Sequence, residues 1–291
     1  MRDYTADNIT EAVVKEYASK TSDPRMQRII TSLITHMHAF VKDVELTEAE
    51  WFAGIQFLTD TGKMCDDKRQ EFILLSDTLG VSMLVDALSH PKTGLGTEST
   101  VLGPFYVENA PEQKNGSSII RRDLSARPTL MRGKVTNAEG APIAGARVDV
   151  WQTSANGLYD IQDKDAPEWN LRGRFTTEED GSYALVSETP VSYSIPTDGP
   201  VGRMLDATGR HGMRPAHVHF MLSAAGYRPL TTHIFVKGDE YLDSDAVFAT
   251  KDSLVADFEE CEDATLAERY GLTTPFTLLE YDFGLMPAAH S

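Results

Sequence analysis

The hydrophobic period of this chain changes near Gly94, and few folds accommodate such a change. Upstream, apolar residues recur at helical spacing: Ile29, Leu33 and Met37 share one face with Ile30, Ile34 and Val41. "NITE" at Asn8–Glu11 and "TEAE" at Thr47–Glu50 both look like capping boxes, a capping side chain followed three residues later by Glu. "RQEFILLSDTLGVSMLVDAL" is apolar over too wide an arc for a surface helix, so part of it is expected to be buried on several sides. His36 and His38, two apart on a helix, face different directions and read as ordinary polar positions.

Downstream the punctuation is different. "HPKTGLGTESTVLGPFYVENAPEQKNGSS" is a long Gly-, Pro-, Ser- and Thr-rich connection, of the kind that forms a wall or lid of a site. "LMRGKVTNAEGAPIAGARVDVWQ" then gives two alternating runs, around Val135 and Val148, across a Gly/Pro turn region. "GRFTTEEDGSYALVSE" repeats the pattern with Asp180-Gly181 as a hairpin turn, and "PAHVHFMLSA" and "TTHIFVKGD" are two further short strands. The expected class is α+β: a helical N-terminal domain over residues 1–100, then an antiparallel β-sandwich over 101–291.

Composition narrows the partners. A formal net charge of -17 argues against a surface for nucleic acid or an anionic membrane, both of which need clustered Lys and Arg. Cys65 and Cys261 stand far apart with no metal-ligand spacing, which suits a reducing compartment. The start, "MRDYTADNITEAVVKEY", lacks the apolar stretch of a signal peptide, and no apolar run reaches spanning length, so a cytoplasmic protein is expected.

Chemistry concentrates in "RPAHVHF", Arg214–Phe220. On a strand His217 and His219 point one way and Val218 and Phe220 the other, so the imidazoles can share one metal ion or be two polar positions on a half-exposed strand. A metal needs further ligands. Tyr159 in "NGLYDIQ" and Tyr193 in "PVSYSIP" lie in irregular stretches beside Gly or Pro, where a side chain can be aimed into a cavity; buried tyrosines also commonly just pack and hydrogen-bond. If two phenolates join two imidazoles, the ion must be a strong Lewis acid, because a phenol's ordinary pKa is about 10. Ferric iron then suits the site, whereas a zinc hydrolase would be colourless and leave the tyrosines without a role.

Together, "LGPFYVENAP", "GLYD", "YSIPTDGPVG", "RPAHVHF" and "TTHIFVKGDEYLDSD" resemble the intradiol ring-cleaving dioxygenases, from the helical region to about Phe258. The helical N-terminal part is similar to the catechol and hydroxyquinol branch. The resemblance implies one non-haem Fe(III) per subunit held by Tyr159 and His217 (equatorial) and Tyr193 and His219 (axial), with a hydroxide as fifth ligand. It implies O2 and an aromatic diol or triol as substrates. Tyr193 is expected to take a diol proton, and Arg214 to stabilise negative charge on the ring, its other reading being a salt bridge that holds the strand. His233 stands where catechol enzymes often carry Gln, in a part that orients Arg214 or the bound oxygen.

By motif, the substrate wall comprises Leu74, Asp77, Val101, Leu102, Gly103, Pro104, Phe105, Ile195, Pro196 and Val247. Asp77 is costly in an apolar ring pocket unless something hydrogen-bonds it, and the third hydroxyl of hydroxyquinol would do so; capping a helix or pairing with a base is its other reading. "LLSDTLGVSMLVD" and "THIFVKGDEYLDSDAVF" also look more like hydroxyquinol-cleaving members than catechol- or chlorocatechol-cleaving ones. "GKVTNAEGAPIAGARVDVW" further resembles transthyretin-like binding modules without chemistry, a reading the four-ligand set and Arg214 weigh against. The family further implies a homodimer through the helical domain, in some members with a lipid-like molecule in the interface.

Overall fold

The structure, a computed structural model, describes residues 3–66, 69–91, 94 and 96–288. The chain divides into two compact units, one up to Asp60 and one from Thr61 onward. The first holds α1 (Ile9–Lys20), α2 (Pro24–Asp43) and most of α3 (Glu48–Lys63). At the start of α3 the Thr47 hydroxyl accepts from the Glu50 N–H at 3.3 Å while the Glu50 carboxylate accepts from the Thr47 N–H at 2.9 Å, a reciprocal capping box. Asn8 caps nothing in α1; its side-chain oxygen accepts from the Thr5 N–H in the turn before the helix. On α2, Asp23 caps and Pro24 opens the helix, and the apolar face at Ile29, Leu33, Met37 and Val41 is exposed. Among the described residues no single helix is long and apolar enough to cross a membrane.

The second unit opens with two short helices, α4 (Glu71–Thr78) and α5 (Val81–Ser89), bent 77° from one another. Gly80, at φ +71°, takes the left-handed conformation that ends the first and turns the chain into the second. The apolar stretch is thereby split, and only Glu71, Leu74, Asp77, Thr78 and Met83 of these two helices are buried.

Two sheets follow. The strands are β1 (Pro128–Asn137), β2 (Arg147–Trp151), β3 (Arg172–Thr176), β4 (Ser182–Glu188), β5 (Tyr193–Ser194), β6 (Met213–Arg214), β7 (His217–Ser223), β8 (Leu230–Val236), β9 (Val255–Ala256), β10 (Phe258–Cys261), β11 (Phe276–Glu280) and β12 (Phe283–Leu285). The helices α6 (Pro200–Ala207) and α7 (Ala264–Arg269) interrupt them. One sheet runs β10-β11-β1-β12 with β4 also on β1, the other β3-β2-β7-β8-β9, and β5 and β6 make a separate ribbon.

The expected antiparallel sandwich is corrected to mixed sheets. β11 and β12 keep one offset against β1 (Thr129 opposite Thr277, Val135 opposite Phe283) and run parallel to it, as β9 does to β8. Alternation marks a strand's two faces but says nothing of its neighbour's direction. The Asp180-Gly181 hairpin is corrected too: the turn forms, with the Gly181 N–H donating to the Glu178 carbonyl, but β3 and β4 belong to different sheets. A local turn signature reverses the chain without choosing its partner.

Between the sheets lies a continuous core that includes Val135, Leu185 and Phe283 from one and Val148, Val150, Phe220 and Ile234 from the other. Burying each such side chain is worth roughly 1.5–3 kcal/mol. On β7 it is Val218, Phe220 and Leu222 that join this core, which leaves His217 and His219 on the opposite face.

Candidate active site

Strand pairing builds the floor of the site. Arg172 on β3 lies opposite Trp151 on β2, Trp151 opposite His219 on β7, and His219 opposite His233 on β8. Directly opposed residues share a face, so four strands deliver one row of buried side chains. The Trp151 ring stacks on the His219 imidazole at 4.7 Å, and His233 meets it edge-on at 4.2 Å. The β5–β6 ribbon sets Tyr193 opposite Arg214. Tyr159 arrives on the loop between β2 and β3. Gly157 lies at φ +76°, and a side chain there would begin 3.2 Å from the Tyr193 Cβ, so both backbone and space favour glycine where this loop closes on Tyr193.

Four donor atoms converge there. Tyr159 Oη lies 2.9 Å from Tyr193 Oη and 2.7 Å from His219 Nε2. Tyr193 Oη lies 3.5 Å from His217 Nε2, which lies 3.2 Å from His219 Nε2. The His217 Nδ1–H donates to the Pro215 carbonyl at 2.7 Å, so its Nε2 presents a lone pair to the cluster. Burial, aided by the Arg214 charge, holds His217 down to about 3, and burial with its charged neighbours holds His219 and His233 well below the ordinary imidazole value. Burial likewise pushes the Tyr159 phenol well up, Tyr193 adding to the effect.

These residues fit a metal ion. Ligands at about 2.0–2.1 Å from one ion and at right angles stand roughly 3 Å apart, the spacing found here. Neutral imidazoles supply lone pairs, and two such nitrogens in contact repel unless a proton or cation lies between them. A phenol that burial keeps protonated becomes a donor only beside a strongly polarising cation. The donor set therefore selects for high charge, not for a soft ion. His217, His219 and His233 also bring nitrogen atoms within 4.8 Å of one another. His233 Nδ1 pairs with the Thr100 hydroxyl at 3.0 Å.

Arg214 answers to both readings made of it. Its Nε and Nη2 donate to the Asp245 carboxylate at 3.1 and 3.4 Å, in a pair almost wholly buried. Its Nη1 is thereby aimed at the cluster, 3.2 Å from His217 Nε2 and 3.5 Å from Tyr193 Oη. Burial opposes both charges, but Asp245 holds the guanidinium protonated and Arg214 holds the carboxyl below its ordinary value. Reading the sequence missed Asp245, although a buried, always-charged arginine demands a carboxylate. It missed Arg172 as well, which donates to Asp160 at 2.6 Å and to the Phe105 carbonyl at 2.7 Å. Phe105 in turn stacks on Tyr159 at 4.7 Å.

The expected wall residues divide. Leu74, Pro104, Phe105 and Pro196 line a cavity of about 200 Å³. Leu74, Val101, Ile195 and Val247 are buried in one apolar cluster. A side chain at Gly103 would begin 3.5 Å from His219 Cε1, whereas Leu102 is 42% exposed. Asp77 is buried on α4, and burial raises its carboxyl above the ordinary value despite the Ser82 hydrogen bond and the Arg214 charge. The connection ahead of β1 is pinned over β8, the Thr100 N–H donating to the Thr231 carbonyl at 2.9 Å and the Thr232 hydroxyl to the Glu98 carbonyl at 2.8 Å.

Comparison with known proteins agrees with this arrangement. Residues 101–287 match the dioxygenase family model and residues 23–96 the model of the catechol dioxygenase N terminus. The chain is 46% identical to 6-chlorohydroxyquinol 1,2-dioxygenase of Cupriavidus pinatubonensis over 99% of each protein. It is 48% identical to hydroxyquinol 1,2-dioxygenase of a Rhizobium species over 90% of each. The solved structure of hydroxyquinol 1,2-dioxygenase from Pseudomonas putida superposes with a TM-score of 0.90 at 48% identity, covering 97% of this chain and 99% of that one. Likeness of this extent, reaching through helices, sheets and the strand that carries the paired histidines, makes the chain a member of the intradiol ring-cleavage dioxygenase family.

Proposed function

We propose that this enzyme cleaves hydroxyquinol (benzene-1,2,4-triol) between its adjacent hydroxyls. Both atoms of O2 enter the product, 3-hydroxy-cis,cis-muconate, whose keto form is maleylacetate. The observation that carries the choice of substrate is Asp77, a buried carboxyl within electrostatic reach of Arg214. A third ring hydroxyl donates to it, and a pocket built around that bond disfavours catechols that lack it. Relatives named for hydroxyquinol and for its 6-chloro derivative support a triol substrate.

Tyr159, Tyr193, His217 and His219 would hold one Fe(III) per subunit, which when bound would supply Lewis acidity toward the diol. Tyr193 accepts a diol proton at its Oη. Arg214 Nη1, fixed by Asp245, faces the negative charge that develops on the ring, in a setting where water cannot screen it. His233 backs both imidazoles and keeps their rings oriented. Leu74, Val101, Leu102, Gly103, Pro104, Phe105, Ile195, Pro196 and Val247 shape the wall. Residues 1–100 form a dimerisation domain, supported by the exposed apolar face of α2, with a lipid-like molecule in the homodimer interface. The catalytic domain of 101–291 takes Leu74 and Asp77 of its pocket from the helical region before it, and the acidic chain with two unpaired cysteines suits the cytoplasm.

Two measurements test this. Purified protein is expected to be red to burgundy from phenolate-to-iron charge transfer, its absorption shifting when a diol is added without oxygen. A colourless, iron-free preparation that stays inactive after iron loading refutes the proposal. In Asp77→Ala the kcat/KM ratio of hydroxyquinol to catechol is expected to fall on the order of 100-fold; an unchanged ratio removes Asp77 from the explanation.

A further inference from the structure

Asp77 and Val247 belong to segments far apart in sequence, and something must hold those segments in register. We propose that Arg210, outside the cavity, is the positioning residue that ties them together and so sets the selectivity of the pocket. The inference rests on the substrate reading above.

Arg210 follows α6, and its guanidinium spans two backbone carbonyls. Nη1 donates to the Thr78 carbonyl at 2.7 Å and Nη2 to the Ala246 carbonyl at 3.1 Å. Thr78 is the residue after Asp77, and Ala246 the residue before Val247. Each wall residue is thus one peptide from a carbonyl held by the same planar fork. The Thr78 carbonyl lies in the last turn of α4, where carbonyls lack partners within the helix and a cation meets the negative end of the helix dipole. A lysine, with a single ammonium, does not reproduce two donors in fixed geometry.

A second observation points to the same device. The Arg210 guanidinium lies 4.5 Å from the centre of the Phe248 ring, and that ring passes 3.6 Å from where a side chain at Gly80 would begin. Phe248 is 52% exposed and sits at φ +58°, a conformation bulky residues seldom adopt. Burial does not account for an exposed aromatic in that conformation. Its place as a wedge between Arg210 and the α4–α5 break does, since such backbone persists only where the surroundings over-determine it. The loop is also gripped from within, the Asp245 carboxylate accepting from the Val247 N–H at 3.3 Å and the Ala249 N–H at 3.0 Å. Asp245 orients the loop toward Arg214, and Arg210 orients it toward α4.

Freeing either carbonyl lets Asp77 and Val247 shift independently. A hydrogen bond from Asp77 to a third ring hydroxyl tolerates little displacement, whereas a catechol makes no such bond. In Arg210→Gln, kcat/KM for hydroxyquinol is expected to fall about tenfold and that for catechol less than about threefold, while the charge-transfer absorption keeps its wild-type position. Phe248→Ala should move the ratio in the same direction, and Arg210→Lys should rescue only part of it. Independently of turnover, hydrogen exchange in the metal-loaded protein should speed up in both 78–80 and 246–248 of Arg210→Gln. A wild-type selectivity ratio in all three variants, or faster exchange confined to one segment, overturns the proposal. Should Arg210→Gln not fold, Arg210→Lys and Phe248→Ala decide it by the same two readouts. Failure of the wild type to cleave any diol would instead refute the function, and the paired exchange would still judge the clamp.

Discussion

Asp245→Asn isolates the charge that holds Arg214. In the wild type both side chains are almost completely buried, the guanidinium donating to the carboxylate at 3.1 and 3.4 Å while two backbone N–H groups complete the carboxylate's shell. Asparagine keeps the shape and one acceptor oxygen but removes the counter-charge, leaving an always-protonated guanidinium uncompensated. Removing one partner of such a pair costs about 3–5 kcal/mol. In a unit of this size each kcal/mol corresponds to roughly 2–4 °C, so the unfolding midpoint should drop by roughly 6–20 °C. Burial pushes the folded carboxyl up, but the Arg214 charge and hydrogen bond, joined by His217 and the Val247 N–H, together hold it below its ordinary value. Its contribution is therefore complete above the unfolded value of about 3.9 and fades as pH falls through the folded one, so pH 7 reads the full effect. The assay is thermal unfolding at pH 7 of Asp245→Asn, of the singles Asp245→Leu and Arg214→Met, and of the double variant that combines those two singles. The double variant should be more stable than Asp245→Asn, since it leaves no charge behind. A loss under about 1 kcal/mol in Asp245→Asn, or a double variant that loses the sum of the singles, refutes the reasoning.

Two further outcomes follow from the same physics. His217 is held down to about 3 against an ordinary 6.5, and His219 is also lowered, so chelator-treated protein should be fully stable above about pH 6.5 and lose stability steadily from there toward pH 3; denaturant midpoints that stay flat across that window would show the imidazoles are not buried neutral. Thr47→Ala removes one half of the α3 capping box, and the amides of Glu48–Trp51 should exchange about fivefold faster, measured by hydrogen exchange; unchanged protection would mean the box does not hold that helix start.

Local chemistry was legible along the chain. The "TEAE" box forms because its two partners lie three residues apart, within reach before any tertiary contact exists. "NITE" carries the same signature and does not form it, because Asn8 is taken by the turn at Thr5. Two-residue alternation put His217 and His219 on one face, and the core took Val218 and Phe220 on the other. Tyr159 was legible only as a side chain free of a sheet; Tyr193 was read the same way, but the fold pairs it with Arg214 in the β5–β6 ribbon.

What remained hidden depends on which strand lies beside which. Alternation in β2, β3, β7 and β8 does not reveal that Arg172, Trp151, His219 and His233 fall in one row, since register is a relation between strands. Nor does it reveal that β11 runs parallel to β1, or that the Asp180-Gly181 turn joins two sheets. Asp245 stands 31 residues from Arg214, and Arg210 stands 132 from Thr78. Sequence by itself determined the residue types, their faces and hence a donor set suited to a highly charged ion. Tertiary structure alone decided which charges answer one another across the pocket, because a buried charge takes whichever partner the packed sheets bring within reach.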